Sequence, residues 1–413
     1  MGERPTKLRE AHGHVFAHGR SLEMVQLERC TTAQEMLDAI ADAAVGSSLV
    51  LAHGARPEAW IEPGWPTLEL LDQASPKAAV AVWCFDYHAM MVNSHAMQAV
   101  GIDASSADPE GGQIGRLADG RLSGVLYEAA AGMAWNHLEP QGIDTAVLES
   151  AIWDLAEHGF VRIHDMKAQV GLGRALAGVL GNSPVEFVLY PLVQDLPETL
   201  KTRHDWQSDQ IRLGGGKIFV DGTLNSRTAW MLHPFADGRS EHPSGMQLMS
   251  DKAIEDAIRL CASEGVQLAA HAIGDAAVRA VLDATQRARV PRGTVRIEHA
   301  EVIDEADVPR FAELGVIASV QPCHLLYDIE ALRRACPDRL ERVLPLRELI
   351  DSGMTPGRDI MFGSDTPIVR PDPEDSILAA THRGRAGMPR EEGIAPGQAI
   401  SQKEAWACFD ADA

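Results

Sequence analysis

The sequence predicts an α/β fold, a (β/α)8 TIM-type barrel spanning residues 1–413. Three observations predict it. Short apolar runs alternate with amphipathic stretches of helical period along most of the chain. About eight such units occur without a Gly-rich dinucleotide fingerprint, which favours a barrel over a doubly wound sheet. Histidine and aspartate recur at the carboxyl ends of the apolar runs, where a barrel gathers its chemistry.

The elements follow in order. Lys7-Leu8-Arg9-Glu10 is a poor buried strand, so the first strand is expected to be clipped or badly formed. Thr31 to Ala44 reads as a helix, with Glu35 as capping-box partner of Thr32. Ser48 to His53 and Ala78 to Phe85 are strands, separated by an irregular Pro-, Gly- and Trp-rich connection. Asn93 to Val100 is a helix capped by Asn93 or Ser94. Residues 101–124 are Gly- and Asp-rich and read as an irregular insertion, a surface loop or small hairpin, before the apolar run that ends in Glu128. From Ala146 the alternation is regular. Helix 146–158 precedes the strand 159–165, and the runs 185–192 and 217–220 follow. Helices 251–264 and 275–288 precede strands 266–271 and 295–299. Helices 305–314 and 346–352 precede strands 316–321 and 360–363. Helical stretches at 373–383 and from Ser401 close the chain.

With 45% hydrophobic residues the chain can bury a large core. Its net charge of -22 argues against nucleic acid or anionic membrane as a partner. Six scattered cysteines without a Cys-x-x-Cys pair suit reduced thiols in a cytoplasmic protein. No apolar leader or membrane-length run is present in the sequence.

The chemistry gathers at a few places. His12 and His14 stand two apart, so in a strand they face one way and can reach one ion. His271 and His299 each end a predicted strand, and Asp365 follows another. Lys217 heads the buried run that follows Gly214, Gly215 and Gly216. A bare ammonium there is costly unless paired, shifted or modified. Lys217 therefore either snorkels to solvent or carries a carbamate, an anion able to bridge two ions. Four histidines, one aspartate and a lysine are enough to fill one or two divalent sites, zinc first.

Taken together these stretches resemble a family. They are Ala11-His12-Gly13-His14, Phe85-Asp86-Tyr87-His88, Gly124-Val125-Leu126-Tyr127-Glu128 and Lys217-Ile218-Phe219-Val220-Asp221-Gly222. The series continues with Ser226-Arg227-Thr228-Ala229, His271-Ala272-Ile273-Gly274-Asp275, Arg296-Ile297-Glu298-His299-Ala300, Ser319-Val320-Gln321-Pro322 and Phe362-Gly363-Ser364-Asp365-Thr366-Pro367. The sequence resembles the amidohydrolase superfamily, within it the amidohydrolase-3 group of YtcJ-like and N-substituted formamide deformylase-like proteins. The resemblance implies that His12, His14 and Asp365 bind one metal, that His271 and His299 bind a second, and that carboxylated Lys217 bridges them. It implies hydrolysis of a C–N bond in a small-molecule amide or formamide by metal-activated hydroxide, with Asp365 as general base and then acid. Asp86, His88, Arg227 and His324 become candidates for the substrate pocket, with Glu128 behind them.

Two departures stand beside it. The small β-sandwich usual in such proteins is expected to be missing or truncated, and a homo-oligomer would cover the apolar surface this leaves. A loosely held first strand would misplace His12 and His14. That leaves an alternative reading, a catalytically impaired barrel that binds a small molecule or a partner.

Overall fold

The computed structural model describes residues 4–139, 142–181, 183–238 and 242–413. The chain divides into two compact units, Met1–His18 with Thr145–Ala413, and Gly19–Asp144.

The first unit is α/β with parallel sheets. One sheet runs Leu8–Gly13, Phe160–Met166, Glu186–Tyr190, Ile211–Leu213, with parallel neighbours throughout. The other runs Gly215–Phe219, Gln267–Ala272, Val295–His299, Ile317–Val320, Ile360–Phe362, also parallel throughout. Single parallel bridges link the sheets at both edges, Gly13 to Thr366 and Leu192 to Lys217. Helices occupy the crossovers, as parallel pairing requires. The best formed is Asp275–Ala288, which buries Val278, Val281 and Leu282. Each such side chain contributes about 1.5–3 kcal/mol.

The strands Ile211–Leu213 and Gly215–Phe219 are one run broken at Gly214. Its glycines answer to crowding. A Cβ on Gly214 would lie 2.5 Å from Val188 Cγ1, and one on Gly215 would lie 1.8 Å from the Gln267 carbonyl oxygen. Any larger residue at these positions would displace Val188, Tyr190 or the Gln267 backbone.

The first strand corrects the sequence expectation. Leu8–Gly13 is buried along its whole length and pairs with Phe160–Met166. Its polar side chains are buried and largely hydrogen-bonded rather than exposed. The Arg9 guanidinium donates to the Gly357 and Cys408 carbonyls at 2.8 and 3.2 Å. The Glu10 carboxylate accepts from the His12 and Ser364 amides, both at 2.9 Å, and from the Ser364 hydroxyl at 2.8 Å. Buried polar groups with partners of this kind are tolerated in a strand.

The second unit holds a mixed six-stranded sheet in the order Val25–Gln26, Leu49–Ala55, Ala79–Cys84, Ala89–Val92, Leu122–Glu128, Gly112–Arg116. The first three strands are parallel and the others antiparallel. The strands near 48–53, 78–85 and 124–128, counted in sequence toward one alternating series, belong to this sheet. Residues 101–124 contain the hairpin strand Gly112–Arg116. Thr32 caps the helix Ala33–Ala44 by accepting from the Glu35 amide, while the Glu35 carboxylate accepts from the amide of Thr31 rather than Thr32. Asn93 caps Ser94–Val100. Among the described residues no helix is long and apolar enough to cross a membrane.

Candidate metal centre

The site forms where strands of the first unit end. His12 is the next-to-last residue of the first strand and is 1% exposed. Its Nδ1 lies 2.6 Å from Glu298 Oε2, and its Nε2 lies 3.3 Å from Asp365 Oδ1. His14, just past the strand, brings its Nε2 to 3.0 Å from the same oxygen. One ligand atom each from His12, His14 and Asp365 lie within 4.8 Å of one another. The backbone fixes this meeting. The Asp365 amide donates to the His12 carbonyl at 2.7 Å, and the His14 amide donates to the Thr366 carbonyl at 2.9 Å. Glu10 ties the His12 amide to Ser364 from below.

The second histidine pair stands beside the first cluster. The His299 ring lies 4.9 Å from His12 and 4.4 Å from His271. His271 Nε2 is 3.1 Å from the Gly222 carbonyl. Next to it, Asp221 accepts from the Ile273, Gly274 and Trp230 amides and so shapes the turn after the strand. His299, Ala300 and Asp365 have φ of 72°, 43° and 61°. Non-glycine residues in that region carry strain, and strain concentrates at functional sites.

Lys217 does not reach solvent. Its Nζ is buried without a hydrogen-bond partner among the described residues and sits 5.1 Å from the Phe219 ring. Burial pushes the ammonium down to about 8, against the pull of Glu298 and Asp365. The snorkelling alternative is therefore excluded.

The surrounding charges are arranged by Arg296, a fully buried guanidinium. It pairs with Glu298 and donates to the Ala11 carbonyl and the Ser319 hydroxyl, both at 2.7 Å. It also meets His164 Nδ1 at 2.8 Å. Burial works against ionising Glu298, but Arg296 and His12 outweigh it and hold the carboxyl below its ordinary value. Burial likewise opposes Asp365, and His12 and His14 outweigh it. Burial, followed by the neighbouring His271 and His12, lowers the pKa of His299 and keeps its ring neutral. A neutral imidazole and an ionised carboxylate are the forms that bind metal.

The remaining candidates are spread out. His324 Nε2 lies 3.0 Å from the Ser364 carbonyl, and its ring is 6.1 Å from His299, so it joins the rim. Arg227 is committed to its own loop. It pairs with Asp237 at 2.7 Å and donates to the Leu224 and Asn225 carbonyls. Asp86, His88 and Glu128 lie in the second unit. There His88 Nδ1 meets Glu128 Oε2 at 2.8 Å, and Asp86 accepts from the His88 amide at 3.1 Å.

The sequence profile of the Amidohydro_3 group, the amidohydrolase family, matches residues 8–409. The chain belongs to the amidohydrolase family. It is similar to the protein YtcJ of Bacillus subtilis (strain 168), 28% identical over 396 residues, covering 91% of this chain and 72% of that one. It is also similar to the N-substituted formamide deformylase of Arthrobacter pascens, 27% identical over 362 residues, covering 82% of this chain and 65% of that one. Its fold resembles an uncharacterized metal-dependent hydrolase from Pyrococcus horikoshii OT3, with TM-score 0.76 and 24% identity over 97% of this chain and 78% of that one.

For this amidohydrolase, sequence reasoning missed Glu10, Arg296 and Glu298 as supports of the ligands. One signal was available. Glu10 stands two residues before His12, and Glu298 two after Arg296, so each pair shares a strand face.

Proposed function

We propose that this chain is a metal-dependent amidohydrolase that cleaves the C–N bond of a small-molecule amide or N-substituted formamide. In this reading the parallel strands of the first unit close into a (β/α)8 barrel, with the two edge bridges as its seams. The observation that carries the proposal is the convergence of one ligand atom each from His12, His14 and Asp365 within 4.8 Å, beside His271 and His299. Family membership and the names of the relatives support the same reading.

The residues fit a divalent ion. Imidazole nitrogens with a carboxylate suit zinc and its first-row neighbours. Glu298 holds the His12 Nδ1 proton, which leaves Nε2 free as the ligand atom. His12, His14 and Asp365 would hold one ion, and His271 and His299 a second. A carbamate on Lys217 would supply an anionic ligand to these ions. The orphaned lysine amine, released of its proton, adds to carbon dioxide, forming an N–C bond and a carbamate anion while a further proton leaves for solvent. A bound divalent ion supplies Lewis acidity, polarising the scissile carbonyl and acidifying water.

The chain's own part is proton handling and placement. Asp365, kept ionised by His12 and His14, accepts the proton of the attacking water and returns it to the departing amine. Its φ of 61° aims the carboxylate. Glu10 and the two backbone bonds between the 12–14 and 365–366 stretches hold that aim. The alternative of an impaired barrel drew its support from a clipped first strand, whereas Leu8–Gly13 is buried along its length and pairs with Phe160–Met166, with register shifts between Leu8 and Arg9 and between Glu10 and Gly13.

The test is elemental analysis of protein loaded with zinc, beside a His12→Ala, His14→Ala double variant, followed by hydrolysis of N-formyl and N-acyl amines. About two ions in the parent and about one or fewer in the variant support the reading. Metal absent from both after loading would remove it and favour a binding protein.

A further inference from the structure

Three side chains link two helices to the turn that carries Asp365. His18 lies on the helix Val15–Glu23, just past the first strand, and is 3% exposed. Its Nδ1 stands 2.8 Å from the Thr366 hydroxyl oxygen, and its Nε2 stands 2.8 Å from Asp154 Oδ2. Asp154 comes from the helix Thr145–Glu157, and all three residues belong to the first unit. The bond from His18 lowers the pKa of Asp154, and a carboxylate only accepts, so Nε2 carries a proton. In the neutral ring that leaves Nδ1 to accept from the Thr366 hydroxyl. The order aspartate, histidine, hydroxyl is that of a nucleophilic triad. Thr366 is 1% exposed, however, so its oxygen is closed to a substrate carbonyl. The chain serves position instead. Thr366 directly follows Asp365, and each of its polar atoms has a partner. Its amide donates to the Ser364 hydroxyl at 3.2 Å, and its carbonyl accepts from the His14 amide at 2.9 Å. Its methyl group faces Gly13, where a Cβ would come within 3.3 Å. With the hydroxyl held by His18 and the methyl against Gly13, the Thr366 side chain is confined to one rotamer. His18 also donates its own amide to the His14 carbonyl at 2.7 Å. One residue thus touches both stretches that carry the candidate ligands, 12–14 and 365–366. Asp154 ties it to a helix that carries none of them.

We propose that His18 is a positioning residue of the metal centre: acting through Thr366 and the His14 carbonyl, with its ring fixed by Asp154, it sets His14 against Asp365. The proposal rests on the reading of His14 and Asp365 as metal ligands, but the brace consists of protein atoms alone and is testable without an ion.

The experiment compares the full-length parent with Thr366→Val, Thr366→Ser and Asp154→Ala, each checked for folding by circular dichroism. Valine keeps the shape of threonine and deletes the hydroxyl, whereas serine keeps the hydroxyl. The Asp154 side chain is 31% exposed, so its truncation spares the core and carries the test should the buried change unfold the chain. In metal-free protein, hydrogen exchange is read by mass spectrometry in the peptides that hold His14 and Asp365. It is expected to quicken about tenfold in Thr366→Val and Asp154→Ala, to return towards the parent rate in Thr366→Ser, and to stay unchanged in the remote helix Asp275–Ala288. Zinc affinity, measured by competition with a chromophoric chelator, is expected to fall about tenfold or more in the first two variants, and the visible spectrum of their cobalt-loaded forms to shift. A general loss of stability would quicken exchange in Asp275–Ala288 as well and leave the cobalt spectrum alone. Parent-like exchange and spectrum in both Thr366→Val and Asp154→Ala overturn the proposal, as does Thr366→Ser behaving like Thr366→Val. A parent that takes up neither zinc nor cobalt, with the expected exchange pattern intact, would sink the hydrolase reading and leave the brace standing.

Discussion

Glu298→Gln is the sharpest single perturbation of the centre. The substitution keeps the shape of a side chain that sits, fully buried, between Arg296 and His12 Nδ1. The new amide has one oxygen and one NH2, and both orientations fail. With the NH2 toward Arg296, two donors face each other, and the guanidinium keeps only Ala11, Ser319, His164 and Tyr190 as partners. With the NH2 toward His12, Nδ1 becomes the acceptor and the ring proton moves to Nε2, the atom that faces Asp365. Leaving Arg296 without its counter-charge costs about 3–5 kcal/mol of stability. Losing the support of a ligand histidine weakens metal binding by roughly 10–100-fold. The assay is competition for zinc against a chromophoric chelator, with circular dichroism to establish that the variant is folded. A folded Glu298→Gln protein that binds zinc as tightly as the parent would refute the argument that Glu298 sets the His12 tautomer.

Other perturbations address separate parts of the structure. Lys217→Ala is expected to abolish a carbamate carbon signal seen by carbon-13 NMR after loading the parent with labelled bicarbonate and zinc, and to reduce bound metal by about one ion. Arg9→Met removes the donors to the Gly357 and Cys408 carbonyls, at a cost of about 2–3 kcal/mol. Hydrogen exchange should then quicken in Leu8–Gly13 and in the nearby helix Gln402–Ala407. Asn93→Ala strips the cap from the Ala96 amide and also leaves the Val80 amide and Ala78 carbonyl without their side-chain partner. That change should destabilise the second unit by about 3 kcal/mol, read as faster exchange in Ala79–Cys84 and Ser94–Val100.

Periodicity carried the sequence reading furthest where local pattern and long-range pairing agree. The helix Asp275–Ala288 and the strand Val295–His299 have the bounds that pattern alone suggests. Five of the six ligand candidates were legible because they stand at or just past strand ends, which are visible as the close of an apolar run, whereas Lys217 is the central residue of Gly215–Phe219 and was legible only as a charge in an apolar run. The division at Gly19 and Asp144 was not legible, and the reason is physical. The second unit starts with parallel strands separated by the helices Ala33–Ala44 and Leu68–Ala74. Locally that is the same alternation, and nothing in a window of a dozen residues tells which sheet a strand will join. The pairing of Arg227 with Asp237 inside its own loop was likewise invisible to local pattern.

The first strand shows why a charge-rich run need not be a broken one. Arg9 and Glu10 look incompatible with burial only while they are considered without partners. The carbonyls that receive Arg9 are 348 and 399 residues away, and the Ser364 groups that receive Glu10 are 354 away. Each charge therefore becomes tolerable only after the last parallel strand has taken its place beside the first. The same contacts that make the strand affordable also bring Ser364, and with it Asp365, to the amide of His12. Fixing the ends of the strand set and assembling the candidate metal ligands are thus one event. An apolar first strand would remove the desolvation penalty of Arg9 and Glu10, but it would also remove the link that aligns Asp365 with His12 and His14. That link gives two buried polar residues a structural use at a position where hydrophobic residues would pack with less cost.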